Sequence, residues 1–332
     1  MLAAVFSECH PFRSSRARER YLAHYDAWAK EWPIPSNTRS VTTSQGNTFV
    51  RISGPSTAPP LVLLPPTRAS SLGWMLTIAA LSEHYRTYAV DNICDIGRSA
   101  NSRPIDSRLD AMEWLDELLD ELGLREGVSM MGASFGGWMA AEYALHEPAR
   151  LAATVWLSPP GMVVRPSAGV YVHMVSAAVP TRFALTRSLR WIMPVASRSE
   201  GRTGEFFDRI VEDGVLAGQC YRFLPLLGGG PRLFADTELR SISVPALYVV
   251  GEHERLCPPY EAVARLNAVA PHIETALIPG ADHSLIVSRP EEVVRVVLDF
   301  LGAERGLTES ASSRLGAARL DSGRERTAAP RS

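Results

Sequence analysis

The stretch "VSMMGASFGGWMAAEYAL", residues 128–145, changes character halfway along. Its first five residues read as a buried strand, and the residues from Gly136 onward read as a helix. Between them stands G-x-S-x-G, as Gly132-Ala133-Ser134-Phe135-Gly136. A serine at so sharp a strand-to-helix turn needs a strained backbone, at a cost of about 1–3 kcal/mol. Gly132 and Gly136 are required because side chains there would collide as helix and strand pack together. In return the turn lifts the Ser134 hydroxyl above the sheet, and the helix N-terminus points partial positive charge at any anion forming beside it. The motif alone also fits a glycine-rich turn before a core helix. A strand before it and a helix after it favour a nucleophile.

Outward from this stretch the same alternation repeats. Strands are expected over "TFVRIS" (48–53), "LVLL" (61–64), "TYAVD" (87–91), "AATVWLS" (152–158), "PALYVVG" (245–251) and "IETALIP" (273–279). Helical patterns separate them. In "SRLDAMEWLDELLDELGL" (107–124) the apolar residues Leu109, Met112, Leu115, Leu119 and Leu122 recur at helical spacing, with acidic residues on the other face. "PEEVVRVVLDFLG" opens with Pro290 in its first turn and is expected to close at Gly302. Such alternation predicts an α/β fold, a mostly parallel sheet with helices on both faces.

Three segments fall outside the repeat. Residues 1–39 are expected to form a helical N-terminal extension, leaving 40–158 and 241–302 as the core. Residues 159–240 read as a long, mostly helical insertion, and 303–332, polar and poor in large apolar residues, predict a disordered tail. "LLGGGPRLF" (226–234) lacks the Gly-Lys-Ser/Thr of a phosphate loop.

Composition narrows the function. The chain has 332 residues, 46% hydrophobic and 21% charged, enough for a large core, and its net charge of −2 gives no reason to expect nucleic acid or an anionic membrane as partner. Lys30 is the only lysine, which a compositional bias of the source genome explains. Cys9, Cys94, Cys220 and Cys257 show no short-range pairing, so neither a disulfide framework nor a zinc site is expected, and a reducing cytoplasm is the default. The N-terminus has its basic residues after a short apolar run, the reverse of a secretory signal. No run reaches the roughly 18 apolar residues of a membrane span.

Serine is a weak nucleophile at neutral pH and needs a histidine base oriented by a carboxylate. His283 stands out by place, in the loop after the last strand and before the last helix. His146 belongs to the helix after Ser134, and His253 and His272 read as loop residues. The orienting carboxylate should end the strand "PALYVVG", where Glu252 and Glu254 are both available. Either choice keeps the order Ser…Asp/Glu…His known from one fold family. Asp282 adjoins His283, but a neighbour's carboxylate would have to fold back on itself, so it reads as loop structure.

With these residues in place, the chain resembles the α/β-hydrolase superfamily, and most the carboxylesterase-type members with a helical cap, over residues 40–302. The resemblance implies that the acid lies three residues past Gly251, at Glu254. It implies a "D-x-x-G-x-G-x-S" loop, present in altered form as "DNICDIGRS" (91–99), with Cys94 where the first glycine belongs. The strand "LVLL" of such proteins is followed by His-Gly, and the next residue donates one oxyanion-hole amide. Here Pro65-Pro66 stands in that place, so the implied donors are Thr67 and Phe135, the residue after the nucleophile. Proline removes only its own amide, and the pair should stiffen the loop. Arg68 and Trp74 are candidate substrate-binding residues, and Tyr171, Met174, Phe183, Trp191 and Met193 suit an apolar lid.

The expected activity is hydrolysis of a small carboxylic ester through an acyl-enzyme, with no metal or organic cofactor required. The same triad would also serve a C–C bond hydrolase, a thioesterase or a biosynthetic acyltransferase or cyclase. A ligand-binding protein on the hydrolase fold is a further alternative, as is an interaction protein acting through the tail.

Overall fold

The computed structural model describes residues 11–167, 169, 170, 173, 181–222 and 230–304. Strands β1 (Ser36–Thr43), β2 (Gly46–Ser53), β3 (Pro60–Leu64), β4 (Arg86–Val90), β5 (Ala100–Asn101), β6 (Val128–Ala133), β7 (Leu151–Leu157), β8 (Ala246–Gly251) and β9 (Glu274–Ile278) form one sheet. Their order is β1-β2-β4-β3-β6-β7-β8-β9, with β5 beside β2. Every pair from β4 across to β9 is parallel, and β1–β2 and β2–β4 are antiparallel. Central strands β3 and β6 are buried on both faces, which is why they read as continuous apolar runs rather than alternations.

Strand β1 has no such signature. Of "SNTRSVTT" only Val41 is buried, as suits a polar edge strand whose free edge must not attract other chains. It begins at Ser36, so residues 36–39 of the stretch expected to be helical are strand. Helix α1 (Ser15–Ala29), capped by the Ser14 side chain, carries Tyr21, Tyr25 and Trp28 on its buried face. That face packs on the insertion: Trp28 lies 5.6 Å from Phe206 and Tyr21 meets Tyr221 edge-on at 4.8 Å between ring centroids.

Helices α2 (Ile78–His84), α3 (Arg108–Leu122) and α4 (Phe135–His146) cover the sheet. A reciprocal Ser107–Asp110 capping box opens α3, and Gly123, left-handed at φ 77°, closes it. Met112, Leu115, Leu119 and Leu122 are buried as the spacing predicts, but Leu109 in the first turn is 56% exposed. The last helix starts at Pro290 and runs to residue 304. Gly302 lies within it and does not end it, and a Cβ there would meet no neighbour within 4 Å.

Between β7 and β8 the insertion contributes helices Arg182–Ile192 and Gly201–Cys220, joined through a short turn at Ala196–Arg198. It is tied to loops at the carboxyl edge of the sheet: Ser167 donates to the Leu256 carbonyl at 2.7 Å, and Arg255 Nη1 to that of Trp191 at 3.2 Å. Met193 is buried, Trp191 is half-buried and stacks on His173 at 4.1 Å, and Phe183 is 80% exposed. Tyr171 and Met174 lie outside the described residues, as does the tail from 305 to 332. Among the described residues no helix is long and apolar enough to cross a membrane, and no group of three or more His, Cys, Asp or Glu side chains could hold a metal ion.

Candidate active site

The chemistry-bearing residues collect at the carboxyl edge of β3, β6, β7, β8 and β9. Ser134 stands between β6 and α4 with φ 52° and ψ −115°. A Cβ on Gly132 would come 2.0 Å from the Gly136 carbonyl oxygen, and one on Gly136 would come 2.1 Å from that of Leu64. The two glycines are therefore forced by backbone contact. Ser134 N–H donates to the Leu157 carbonyl at 2.7 Å, which ties the turn to β7. Among the described residues, the non-glycine residues with positive φ are Arg68, Ser134 and Ser158, each just past the end of β3, β6 or β7. Strained backbone thus clusters where these three adjacent strands end.

The loops after β8 and β9 are zipped together. A Cβ at Gly251 would strike the carbonyls of Ala281 and Asp282 at 2.6 and 2.7 Å, and His253 N–H donates to Ala281 at 2.8 Å. This contact brings His283 to Glu254. His283 Nδ1 lies 2.7 Å from Glu254 Oε2, and Nε2 lies 2.9 Å from Ser134 Oγ. With Glu254 ionised, Nδ1–H donates to the carboxylate and Nε2 is left to accept from the serine hydroxyl. Glu254 Oε1 accepts from Leu256 N–H at 2.7 Å, so both carboxylate oxygens are held.

Electrostatics follow from this geometry. Burial alone would push the Glu254 carboxyl up; the His283 charge, its hydrogen bond and the Leu256 amide outweigh burial and hold it below the usual range. Burial pulls His283 down, but the Glu254 charge and hydrogen bond, with Asp282 adding to them, raise it above an ordinary imidazole. The side chains are 9% and 2% exposed for His283 and Glu254, so both members of the pair are largely shielded from solvent.

The rival residues have other partners. Glu252 accepts from Gly280 N–H at 2.8 Å and supports the loop below His283. His146, at the end of α4, meets Asp116 of α3 at 2.9 Å, and His272 Nε2 lies 2.9 Å from the Ile242 carbonyl. Asp282 is fully buried, and its side-chain bonds go to residues other than His283.

Past β3, the Pro66 carbonyl accepts from Ala69 N–H at 3.2 Å and closes a turn with Thr67 and Arg68 at its centre. Arg68 takes φ 57°, and its N–H donates to Asp95 Oδ2 at 2.7 Å, while Asp95 Oδ1 accepts from Ile96 N–H at 2.7 Å. Burial pushes the Asp95 carboxyl up to about 7 despite these donors. Thr67 is exposed, and its N–H has no protein acceptor among the described residues. Phe135 N–H is the first of α4 and has no acceptor within the helix. Because Gly136 packs under the carbonyls of Leu64 and Pro65, the Thr67 turn leaves β3 against the first turn of α4.

Arg68 is exposed beside this turn. Trp74, in contrast, has no accessible surface and packs among Leu72, Met75 and Ile78 in the core, so it could touch a substrate only if its neighbours moved. In the 91–99 loop the indispensable glycine is Gly97, at φ 135° with a Cβ position 2.5 Å from the Asp91 carboxylate; Cys94 is half-buried. Asp282, read from the sequence as loop structure, and Asp95, a variable position of the 91–99 loop, carry more bonds at this edge than their sequence context indicates.

This fold is that of an α/β hydrolase, and the family profile described as the Alpha/beta hydrolase family matches residues 61–296. The chain belongs to that family and is an enzyme of its carboxylesterase-like branch. Carboxylesterase YbfK of Bacillus subtilis is 33% identical over 289 residues, 85% of this chain and 93% of the relative. The crystal structure of carboxylesterase CesB (YbfK) superposes with a TM-score of 0.77 at 32% identity, covering 86% of this chain and 98% of that one. That of naproxen esterase (carboxylesterase NP), also from Bacillus subtilis, gives 0.79 at 32% identity, covering 87% and 99%.

Proposed function

We propose that this chain is a serine carboxylesterase that hydrolyses small carboxylic esters through an acyl-enzyme. The observation that carries the reading is the continuous chain from Ser134 Oγ through His283 to Glu254, with contacts of 2.9 and 2.7 Å. His283 Nε2 takes the Ser134 proton as Oγ attacks the ester carbonyl. The tetrahedral oxyanion is held by the amides of Thr67 and Phe135. Collapse expels the alcohol, which receives the proton back from Nε2. Water, deprotonated by the same nitrogen, attacks the acyl-enzyme and releases the acid and free Ser134. Glu254 keeps the imidazole oriented and stabilises it when charged. No metal or organic cofactor enters any step.

The carboxylesterase names of relatives at 32–33% identity support an ester as substrate. In this reading the 159–240 insertion is a cap over the acyl pocket, and Arg68 contacts polar substrates at its rim. Cys220 and Cys257, buried thiols outside any disulfide, support a reducing, cytoplasmic setting.

Turnover of p-nitrophenyl esters tests the proposal. Ser134→Ala and His283→Ala are each expected to lose about 10³-fold or more in kcat. Glu254→Gln should cost far more than Glu252→Gln. A larger loss at Glu252 would overturn the acid assignment, and undiminished turnover in Ser134→Ala would overturn the mechanism. A parallel screen of thioesters and β-diketones, with either one preferred over esters, would move the substrate class.

A further inference from the structure

Asp282 precedes His283 and is completely buried. A carboxylate removed from water is costly unless it is paired or fully hydrogen-bonded. Among the described residues no arginine, lysine or histidine forms an ion pair with it; its charge is stabilised by hydrogen-bond donors. Oδ2 accepts from the backbone N–H groups of Val195 at 2.8 Å and Ala196 at 3.1 Å. Oδ1 accepts from Ser284 N–H at 3.0 Å and Ser284 Oγ–H at 2.7 Å. Its own N–H donates to Ser288 Oγ at 3.4 Å.

The two oxygens thus serve different parts of the molecule. One holds the turn between the insertion's helices Arg182–Ile192 and Gly201–Cys220. The other holds the residue after His283. Hydrogen bonds to an ionised acceptor are about twice as strong as neutral ones. Ala196 has no accessible surface, so its amide, once released from Asp282, would lose a partner in a buried place, whereas half-buried Val195 stands nearer the surface.

We propose that Asp282 is a positioning residue: its carboxylate ties the 159–240 insertion to the His283 loop, so that the seating of the insertion and the alignment of the imidazole are set by one group. The inference rests on the reading of His283 as the general base. It differs from a purely local loop staple, for which only the Ser284 bonds would matter.

The test combines kinetics with hydrogen exchange on the full chain carrying Asp282→Asn, Asp282→Ala or Ser284→Ala. In Asp282→Asn the amide NH₂ must face one of the two donor sets, so one side of the tie is lost. Misalignment of the base by a fraction of an ångström to an ångström should lower kcat about 10–100-fold in the Asp282 variants, with KM changed less than about 3-fold. The Val195 and Ala196 amides should exchange at least about 10-fold faster in Asp282→Ala. Ser284→Ala should keep kcat within about 3-fold, since the cap-side bonds survive. The charged and titratable groups around the imidazole are Glu254 at Nδ1, the Ser134 hydroxyl at Nε2 and Asp282 itself. Loss of the Asp282 charge should therefore move the rising limb of the pH–kcat/KM profile to lower pH, a shift that simple loosening of the fold does not produce.

Wild-type kcat in both Asp282 variants would overturn the inference, as would unchanged exchange at 195 and 196. If neither variant folds, the unmutated protein still decides: Val195 and Ala196 amides exchanging at the rate of an unstructured peptide would sink it, and protection equal to that of 281–284 would support it. Ser134→Ala run alongside separates the two readings. If it keeps turnover, the mechanism falls; if it is dead while Asp282 variants are normal, only the role of Asp282 falls.

Discussion

Two turns at the carboxyl edge of neighbouring strands bend non-glycine residues into positive φ, and they are held in opposite ways. At Ser134 the strain is enforced by backbone: the elbow closes only because Gly132 and Gly136 leave room for carbonyls 2.0 and 2.1 Å from where a Cβ would stand. At Arg68, one strand over, the strain is held by a side chain, the Asp95 carboxylate accepting the Arg68 amide from 27 residues away. The first device leaves a glycine signature in the sequence. The second leaves prolines, an arginine and a distant aspartate with no recognisable spacing. A backbone-enforced turn is rigid and intolerant of substitution, whereas a turn held in part by a side-chain carboxylate, beside its own Ala69–Pro66 backbone bond, can be loosened by altering that carboxylate.

The comparison breaks most severely at the elbow. Gly136→Ala should destabilise the fold by more than about 3 kcal/mol, or prevent folding, because the backbone it meets cannot step aside; chemical denaturation of any soluble variant measures this. Next comes Thr67→Pro, which deletes the proposed oxyanion donor in a loop already built around prolines. It should cost about 10²–10³ in kcat with KM little changed. Full activity there would mean the oxyanion is held elsewhere.

The pH dependence of the base is a smaller effect. Because the folded-state value of His283 is raised and the neutral imidazole is the active form, kcat/KM should rise through a midpoint above 6.5. In Glu254→Gln the midpoint should fall, as the charge that raised it is gone.

Asp95 sharpens the other side of the comparison. Its carboxyl stands at about 7 in the folded chain against an ordinary 3.8, so between those values the folded chain holds a proton the unfolded chain has lost. That protonation stabilises the fold, and the stabilisation is lost as pH rises through about 7. Thermal melts of wild type should therefore drop by a few degrees from pH 6 to pH 8, and those of Asp95→Asn by less. Smallest of all is Arg68→Gly, which relieves the left-handed strain but frees the unfolded chain, effects that offset to within about 1 kcal/mol. Its KM for esters bearing a carboxylate, if raised more than about 10-fold, would assign the arginine side chain to the substrate.

The α/β-hydrolase fold was legible because parallel strands buried on both faces must be continuous apolar runs, and "LVLL" and "VSMMG" are such runs. Strand β1 was not, since an edge strand with one buried side chain carries no hydrophobic period. Helix α1 was visible as a helix, but its docking on Phe206 and Tyr221 depends on side chains some 180–200 residues away. At the site, Ser134 is announced by its glycines, and His283 and Glu254 by their places after the last two strands. The choice between Glu252 and Glu254 turned on register alone; in the structure Glu252 bonds Gly280 and Glu254 bonds His283, contacts that support the proposed role of Glu254. Trp74, a candidate substrate contact by its place after the loop, has no accessible surface, as suits an aromatic that forms the core beneath a loop.

The central claim is that Ser134, activated by His283, is the nucleophile. Reaction with a fluorophosphonate followed by peptide mapping by mass spectrometry tests it most directly. The account predicts one covalent adduct per chain, located on Ser134, formed slowly or not at all in His283→Ala. An adduct on another residue, or wild-type labelling of Ser134→Ala, would contradict it.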